Sequence, residues 1–113
     1  MKLIIAYIRP DKVNNVKKLL YSNSVDRFSI IDAFGHSDEA HVMESYRGIE
    51  IEIDLLKKTR FEIAVNDAFV KPVVDALMEG GSSGEIGEGK VFVLPLEECY
   101  SISTGNSGSD AIG

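Results

Sequence analysis

A glycine-rich segment that ends in a lysine is the part of this sequence best suited to chemistry. Residues 82–90 read Ser-Ser-Gly-Glu-Ile-Gly-Glu-Gly-Lys and lead directly into the apolar run 91–94. Because glycine has no Cβ, its backbone N–H groups can turn toward an anion, and the lysine adds a mobile positive charge. This combination predicts a phosphate site.

The same segment lacks two parts of a phosphate-hydrolysing loop. Gly84, Gly89 and Lys90 have the G-x-x-x-x-G-K spacing of a P-loop, but Val91 stands where that motif needs Ser or Thr to hold Mg²⁺. The residues after Lys90 also predict a strand, whereas a P-loop opens a helix whose N-terminus faces the phosphates. We therefore predict nucleotide binding without hydrolysis, and the alternative is a solvated loop between two elements.

A polar stretch over residues 36–50 is a second candidate site. His36 and His41 lie there among several carboxylates, a donor set that Zn²⁺, Cu²⁺ or Ni²⁺ accepts, but the lack of rigid spacing favours a solvated loop. Tyr46 and Arg47 follow, and both residue types are favoured anchors at protein interfaces. Long loops in compact domains usually bind something or are disordered, so a partner contact is expected here.

Composition limits the possible partners and the compartment. The chain has 113 residues, 44% hydrophobic and 27% charged, which fits one globular domain over residues 1–113. A net charge of −6 argues against nucleic acid and against anionic membrane surfaces. The single cysteine, Cys99, forms no intrachain disulfide, and residues 2–8 are too short to span a membrane. We expect a cytoplasmic protein that does not insert into membranes.

The hydrophobic pattern gives the order β-α-β, a long loop, then β-α-β. Alternating or continuous apolar residues predict strands near 3–8, 28–31, 49–53, 61–65 and 91–94, with the strand at 49–53 resuming the sheet. Helical spacing predicts one helix from Val13 and a second that begins near Phe69 or later, because Pro72 fits only the first turn. A short strand is expected at 100–102 and a mobile tail from Thr104 to Gly113.

Two such halves predict an α+β fold, a ferredoxin-like βαββαβ sandwich with helices on one face of an antiparallel sheet. The other face also carries apolar residues, and one helix layer cannot cover both faces. That face is therefore expected to pack on other copies of the chain.

Over nearly its whole length the sequence resembles the PII signal-transduction family of nitrogen regulators. The motifs that carry the resemblance are Ile8-Arg9-Pro10, Tyr46-Arg47-Gly48, Ile86-Gly87-Glu88-Gly89-Lys90-Val91-Phe92-Val93 and Thr104-Gly105. The resemblance implies a homotrimer with adenine nucleotides bound between subunits. Residues 36–54 would form the T-loop that docks on a target, residues 82–90 the B-loop, and residues 101–113 the C-loop and tail.

The resemblance also implies which residues form the nucleotide site. Lys58 would pair with the carboxylate of 2-oxoglutarate, and Ala64 and Ile86 would line the base or ribose pocket. The positions carried over to the site are Gly35, Lys58, Ala64, Ile86, Gly87, Glu88, Gly89, Lys90, Ser101 and Ser103.

Several positions depart from the family pattern. Where relatives carry R-x-R-T-G, with two arginines on the outer phosphates, this chain has Ser101 and Ser103, so ADP or AMP should bind better than ATP. Glu39 replaces a glutamine that serves Mg²⁺ and 2-oxoglutarate, which sets one anion beside another. Ile51 replaces the tyrosine that many relatives uridylylate, and Tyr7 replaces an aliphatic residue.

These observations predict a PII-like, non-enzymatic signalling protein. It would bind ADP or AMP between subunits, with a second small anionic effector expected, and would regulate nitrogen or inorganic carbon (bicarbonate) uptake or assimilation through the T-loop. A membrane transporter is one candidate target. The alternatives are a nucleotide hydrolase or phosphotransferase, and a metal-binding trimer that uses His36 and His41.

Overall fold

The computed structural model of the chain describes residues 1–35, 42–46, 49–53, 55–84 and 89–112, with the backbone alone for residues 42–46 and 49–53. Short 3₁₀ turns at Pro10–Lys12 and Asp67–Phe69 precede the first two helices. The elements are β1 (Lys2–Ile8), α1 (Val13–Ser22), β2 (Ser29–Gly35), β3 (Val42–Tyr46), β4 (Ile49–Ile53), β5 (Leu56–Val65), α2 (Val70–Gly81), β6 (Val91–Pro95) and α3 (Ser109–Ile112).

Four strands form one antiparallel sheet in the order β2-β5-β1-β6. The two long helices, α1 and α2, pack on each other and cover one face of this sheet. This order and the one-sided helix layer agree with the ferredoxin-like α+β sandwich expected from the sequence.

The core lies between the helices and the sheet face on which Ile4, Ala6 and Phe61 point inward. Residues alternate in burial along β1 and β5, as period-2 strands require when one face is covered. We call the uncovered side the open face. Its apolar members include Ile31, Phe92 and Leu94, which stay exposed in the single chain.

The start of α2 follows the expectation from Pro72. The helix begins at Val70, so the proline lies within the first turn, where no intrahelical bond to its nitrogen is needed. Near its end, Gly80 approaches α1 closely, because a Cβ at that position would lie 2.8 Å from the Cα of Val16. The absence of a side chain there lets the two helices meet.

Residues 42–53 correct two of the sequence predictions. Residues 42–46, expected to be loop, form β3, and β4 pairs with β3 rather than resuming the main sheet. Tyr46 lies opposite Ile49 and Val42 opposite Ile53 in this antiparallel hairpin. Because the hairpin satisfies its own backbone hydrogen bonds, it does not need the main sheet, which is continued instead by the ten-residue β5.

The C-terminal segment differs from two further sequence predictions. The strand expected at 100–102 is absent, and only an isolated bridge joins Tyr100 to Ser107. The tail, expected to be mobile, folds back through bonds from the Gly105 N–H to the Ser101 carbonyl (2.9 Å) and from the Gly108 N–H to the Cys99 carbonyl (2.9 Å). The glycines that signalled disorder permit these turns, since Gly105 and Gly108 have φ of +75° and +70°.

Candidate functional site

The glycine segment rejoins the fold beside the carboxyl end of β1. The Tyr7 N–H donates to the Lys90 carbonyl oxygen at 3.1 Å, which continues the pairing of β1 and β6 by one residue beyond Ala6 and Val91. Gly89 runs so close to β1 that a Cβ there would lie 2.5 Å from the Tyr7 carbonyl carbon and overlap its oxygen. Lys90 leads into a strand, as predicted, and not into the helix N-terminus that a P-loop requires.

Lys90, Tyr7 and Arg60 form a row across three neighbouring strands of the open face. Tyr7 lies directly opposite Arg60, whose guanidinium carbon is 5.9 Å from the Tyr7 ring centroid. Arg60 Nη2 also donates to Glu62 Oε1 at 2.9 Å, and the Tyr7 ring meets Phe92 edge-on at 6.5 Å. Lys90 itself is exposed. This end of the face therefore presents two cations and an aromatic ring in an otherwise acidic protein.

Lys58 and Gly35 lie near the same end. Lys58 is two residues from Arg60 on β5 and shares its face, yet only 6% of the residue is exposed. Its side chain packs beside Gly35, where a Cβ would make an ordinary 3.7 Å contact with Lys58 Cγ. Lys57 points to the other face and lies 3.7 Å from Asp32, so the neighbouring cations Lys57 and Lys58 are divided between the two faces.

Ala64 belongs to a different place, a groove at the opposite end of the open face. The groove has a volume of about 500 Å³, which lies within the range of small-molecule sites. Arg27 and Glu62 supply charge of both signs. The lining residues are Leu3, Arg27, Phe28, Ser29, Glu62, Ala64, Cys99, Ala111 and Ile112.

Ser101 and Ser103 lie in the turn that follows Cys99, which is one of the residues that line this groove. Their Oγ atoms are 3.4 Å apart, and the Ser101 N–H donates to the Asn106 carbonyl at 2.8 Å. The two hydroxyls thus lie together on a closed turn. Sequence patterns did not single out Arg27, Glu62 or Ile112, because their proximity depends on how the tail folds back over the sheet.

The described site residues therefore fall into two groups. Lys58 and Ala64 are six residues apart on β5, so about 20 Å separates them along the strand. Gly35, Gly89 and Lys90 lie at the Lys58 end, whereas the serine turn follows the Cys99 side of the groove at the Ala64 end. Within one chain the two ends are linked by the ion pair of Arg60 with Glu62, which lines the groove, but Lys58 and Ala64 themselves stay far apart.

Some predicted positions lie outside the described residues, namely Ile86, Gly87 and Glu88 of the glycine segment, and His36, Glu39, His41, Arg47 and Gly48 of the polar stretch. In the part of the chain that the structure describes, no three His, Cys, Asp or Glu residues come together as metal ligands. Within the same residues, no helix has the length and apolar character needed to cross a membrane.

Comparison with known proteins gives a uniform result. The sequence model of the family described as nitrogen regulatory protein P-II matches residues 1–106. The chain is 42% identical over 114 aligned positions to nitrogen regulatory protein GlnK1 of Methanosarcina mazei, covering 99% of this chain and 97% of that relative. It is also 39% identical to nitrogen regulatory protein P-II 2 of Methanothermobacter thermautotrophicus (99% and 97% covered) and 37% identical to nitrogen regulatory protein P-II of Azospirillum brasilense (99% and 100% covered).

Proposed function

Because the chain belongs to the P-II nitrogen regulatory family, whose members are trimeric signal-transducing regulators, we propose that it senses adenine nucleotides at the seams between identical subunits. Nucleotide occupancy would change the conformations of its loops and so its affinity for a target protein. ADP or AMP, rather than ATP, would be the preferred ligand. No bond of the nucleotide would be broken.

The separation of the two residue groups is the observation that carries this proposal. About 20 Å of β5 lies between Lys58 and Ala64, too far for one compact site in one chain. Two copies that meet through their open faces could set the Lys90 end of one beside the Ala64 groove of the other. The exposed apolar side chains of that face, such as Phe92 and Leu94, supply a reason for the copies to associate.

The charges near the site support the preference for fewer phosphates. Lys90 is the exposed cation of the glycine segment, and Ser101 and Ser103 stand where two arginines would hold the outer phosphates. Each charge-assisted contact that is lost removes roughly 1.5–3 kcal/mol. ATP, which has the most outer-phosphate charge, should suffer the largest loss.

Titration calorimetry with AMP, ADP and ATP tests the proposal. We expect ADP or AMP to bind about tenfold or more tightly than ATP. In the double variant Ser101→Arg/Ser103→Arg, ATP affinity should rise by at least tenfold. The matched control Ile102→Arg/Thr104→Arg adds the same charge one position away and should change ATP affinity far less. Equal or tighter ATP binding by the natural chain would refute the nucleotide preference.

The hairpin of β3 and β4 is the proposed contact with the target. It is a two-stranded sheet distinct from the main sheet, and Tyr46 ends its first strand opposite Ile49. We propose that this segment binds a protein of nitrogen or bicarbonate uptake or assimilation, with a second small anionic effector modulating the contact. A chain in which a short glycine linker replaces residues 42–53 should bind ADP with unchanged affinity. It should no longer bind its partner protein in a nucleotide-dependent way. Loss of ADP binding as well would show that the hairpin is part of the nucleotide site.

A further inference from the structure

Arg60 joins the two ends of the open face within one chain. Its guanidinium carbon lies 5.9 Å from the ring centroid of Tyr7, whose backbone N–H donates to the Lys90 carbonyl oxygen. Its Nη2 atom donates to Glu62 Oε1 at 2.9 Å, and Glu62 lines the groove that contains Ala64. One side chain therefore contacts a residue of the Lys90 end and a residue of the groove.

The stability of the fold does not explain this arrangement. The Arg60 side chain is 33% exposed and the Glu62 side chain 34%, and ion pairs so open to solvent stabilise a protein very little. Among the described residues, the Nε atom of Arg60 is buried and has no hydrogen-bond partner, which is an unfavourable state for a donor. A buried donor left unpaired beside a weak ion pair points to a role of Arg60 other than stability.

The carboxylate of Glu62 is a liability in a groove that takes part of a nucleotide. ADP is an anion, so an unneutralised carboxylate at the groove wall would repel it. A bound ligand would also remove water from that carboxylate, which is costly unless another donor replaces the water. The Arg60 guanidinium, already within hydrogen-bond distance, supplies both the opposite charge and the donor.

We propose that Arg60 is a positioning residue of the nucleotide site, which acts by holding and neutralising Glu62 at the groove. This inference rests on the proposed function, because it takes the Ala64 groove as the pocket for the base or ribose. Arg60 acts through Glu62 and does not touch the nucleotide. Its contact with the Tyr7 ring helps to hold the guanidinium in place, so the groove presents little net negative charge to the ligand.

Titration calorimetry with ADP tests this role by removal of the charge and by rescue. Arg60→Gln leaves the Glu62 carboxylate without its partner and should weaken ADP binding by about five- to tenfold. The double variant Arg60→Gln/Glu62→Gln removes the carboxylate as well and should recover most of that affinity. Glu62→Gln is measured alone, and recovery counts only where it exceeds the effect of this single change, since the excess is the coupling between the two side chains.

Two further variants separate the charge from other effects of substitution. Arg60→Lys keeps a positive charge beside Glu62 and should lose less affinity than Arg60→Gln. Lys57→Gln is the matched control, because it removes the same charge from β5 on the other face of the sheet, where Lys57 lies 3.7 Å from Asp32. It should leave ADP affinity unchanged. Since the Arg60 ion pair is largely open to solvent, each variant should remain folded, which urea unfolding checks.

Two results would overturn the positioning role of Arg60. One is ADP binding by Arg60→Gln with the affinity of the natural chain. The other is a loss in Arg60→Gln that the added Glu62→Gln change does not recover, which would show that Arg60 acts without Glu62. If the natural chain itself does not bind ADP, the proposed function fails, and the role of Arg60 fails with it.

Discussion

Replacing Gly89 by alanine should separate the glycine segment from the sheet. A Cβ at this position would lie 2.5 Å from the Tyr7 carbonyl carbon and 3.2 Å from Tyr7 Cβ. Relief requires a backbone shift of about 2 Å to reach ordinary contact distance, because the Cβ would also overlap the Tyr7 carbonyl oxygen and interior atoms are already closely packed. The neighbouring bond from the Tyr7 N–H to the Lys90 carbonyl, now 3.1 Å, would then be broken or severely weakened.

The magnitude follows from these two effects. Overpacking costs about 1–3 kcal/mol, and the lost hydrogen bond contributes about 1 kcal/mol more, so Gly89→Ala should destabilise the fold by about 2–4 kcal/mol. Because the same change moves the start of Lys90, ADP affinity should also fall by at least about tenfold.

Urea unfolding at a fixed protein concentration measures the first effect, and calorimetry measures the second. The fixed concentration matters because association of copies adds to apparent stability. Two glycine controls bracket the expected result. Gly35→Ala meets only an ordinary contact and should be nearly neutral for stability, whereas Gly84→Ala meets open space but strains a φ of +78°, at a cost of roughly 1 kcal/mol. An unchanged unfolding midpoint and unchanged ADP affinity for Gly89→Ala would refute the proposed role of this contact.

Three further predictions concern the fold and are checked by urea unfolding. Gly80→Ala should cost about 1–3 kcal/mol, because the new Cβ would lie 2.8 Å from the Cα of Val16 across the helix contact. Phe61→Ala should cost about 3–5 kcal/mol, since Phe61 is fully buried in the core. The Met1 ammonium, 2.9 Å from the Asp67 carboxylate, lowers the pKa of Asp67 below its ordinary 3.8 through a hydrogen bond and charge attraction. Because the pKa of Asp67 is lower in the folded chain than in the unfolded chain, this stabilisation is present above the ordinary pKa and is lost as pH falls through the pKa of the folded state. Asp67→Asn should therefore lower the free energy of unfolding at neutral pH, and the natural chain and the variant should become equally stable in acid.

The sequence predicted the four strands of the main sheet and both long helices because each has a strong local signal. Helical spacing in α1 and α2, the alternation of β5 and the continuous apolar run of β1 each specify one element. The position of Pro72 also placed the start of α2 correctly, since the proline ring is tolerated only in the first turn.

The sequence did not predict which strands would pair. The alternation of Ile49, Ile51 and Ile53 correctly indicated a strand, but the same pattern fits a hairpin arm and a strand of the main sheet equally well. Similarly, glycine and serine in the tail predicted mobility, whereas the tolerance of glycine for positive φ allows compact turns at Gly105 and Gly108 that bring Ile112 to the edge of the groove.

The sequence predicted only part of the candidate site, because the rest depends on contacts between residues that are distant in the sequence. Gly89 and Lys90 carry a motif, so spacing alone was enough to predict them as site residues. Their partners across the sheet, Tyr7 and Arg60, are set by strand register, which is a long-range property. Arg27 and Glu62 of the groove have no motif and become neighbours only in the folded chain.

A mixing experiment with two defective chains tests the shared site most directly. Lys90→Ala removes the cation at one end of the open face, and Ala64→Arg fills the groove at the other, so neither variant alone should bind ADP at concentrations that saturate the natural chain. After the two are unfolded together and refolded, some seams combine an intact Lys90 end with an intact groove, about a quarter of all seams in a random mixture. We predict that ADP binding returns at these seams with the affinity of the natural chain. If the mixture remains unable to bind ADP while the natural chain binds it, the site does not lie between two copies of this chain.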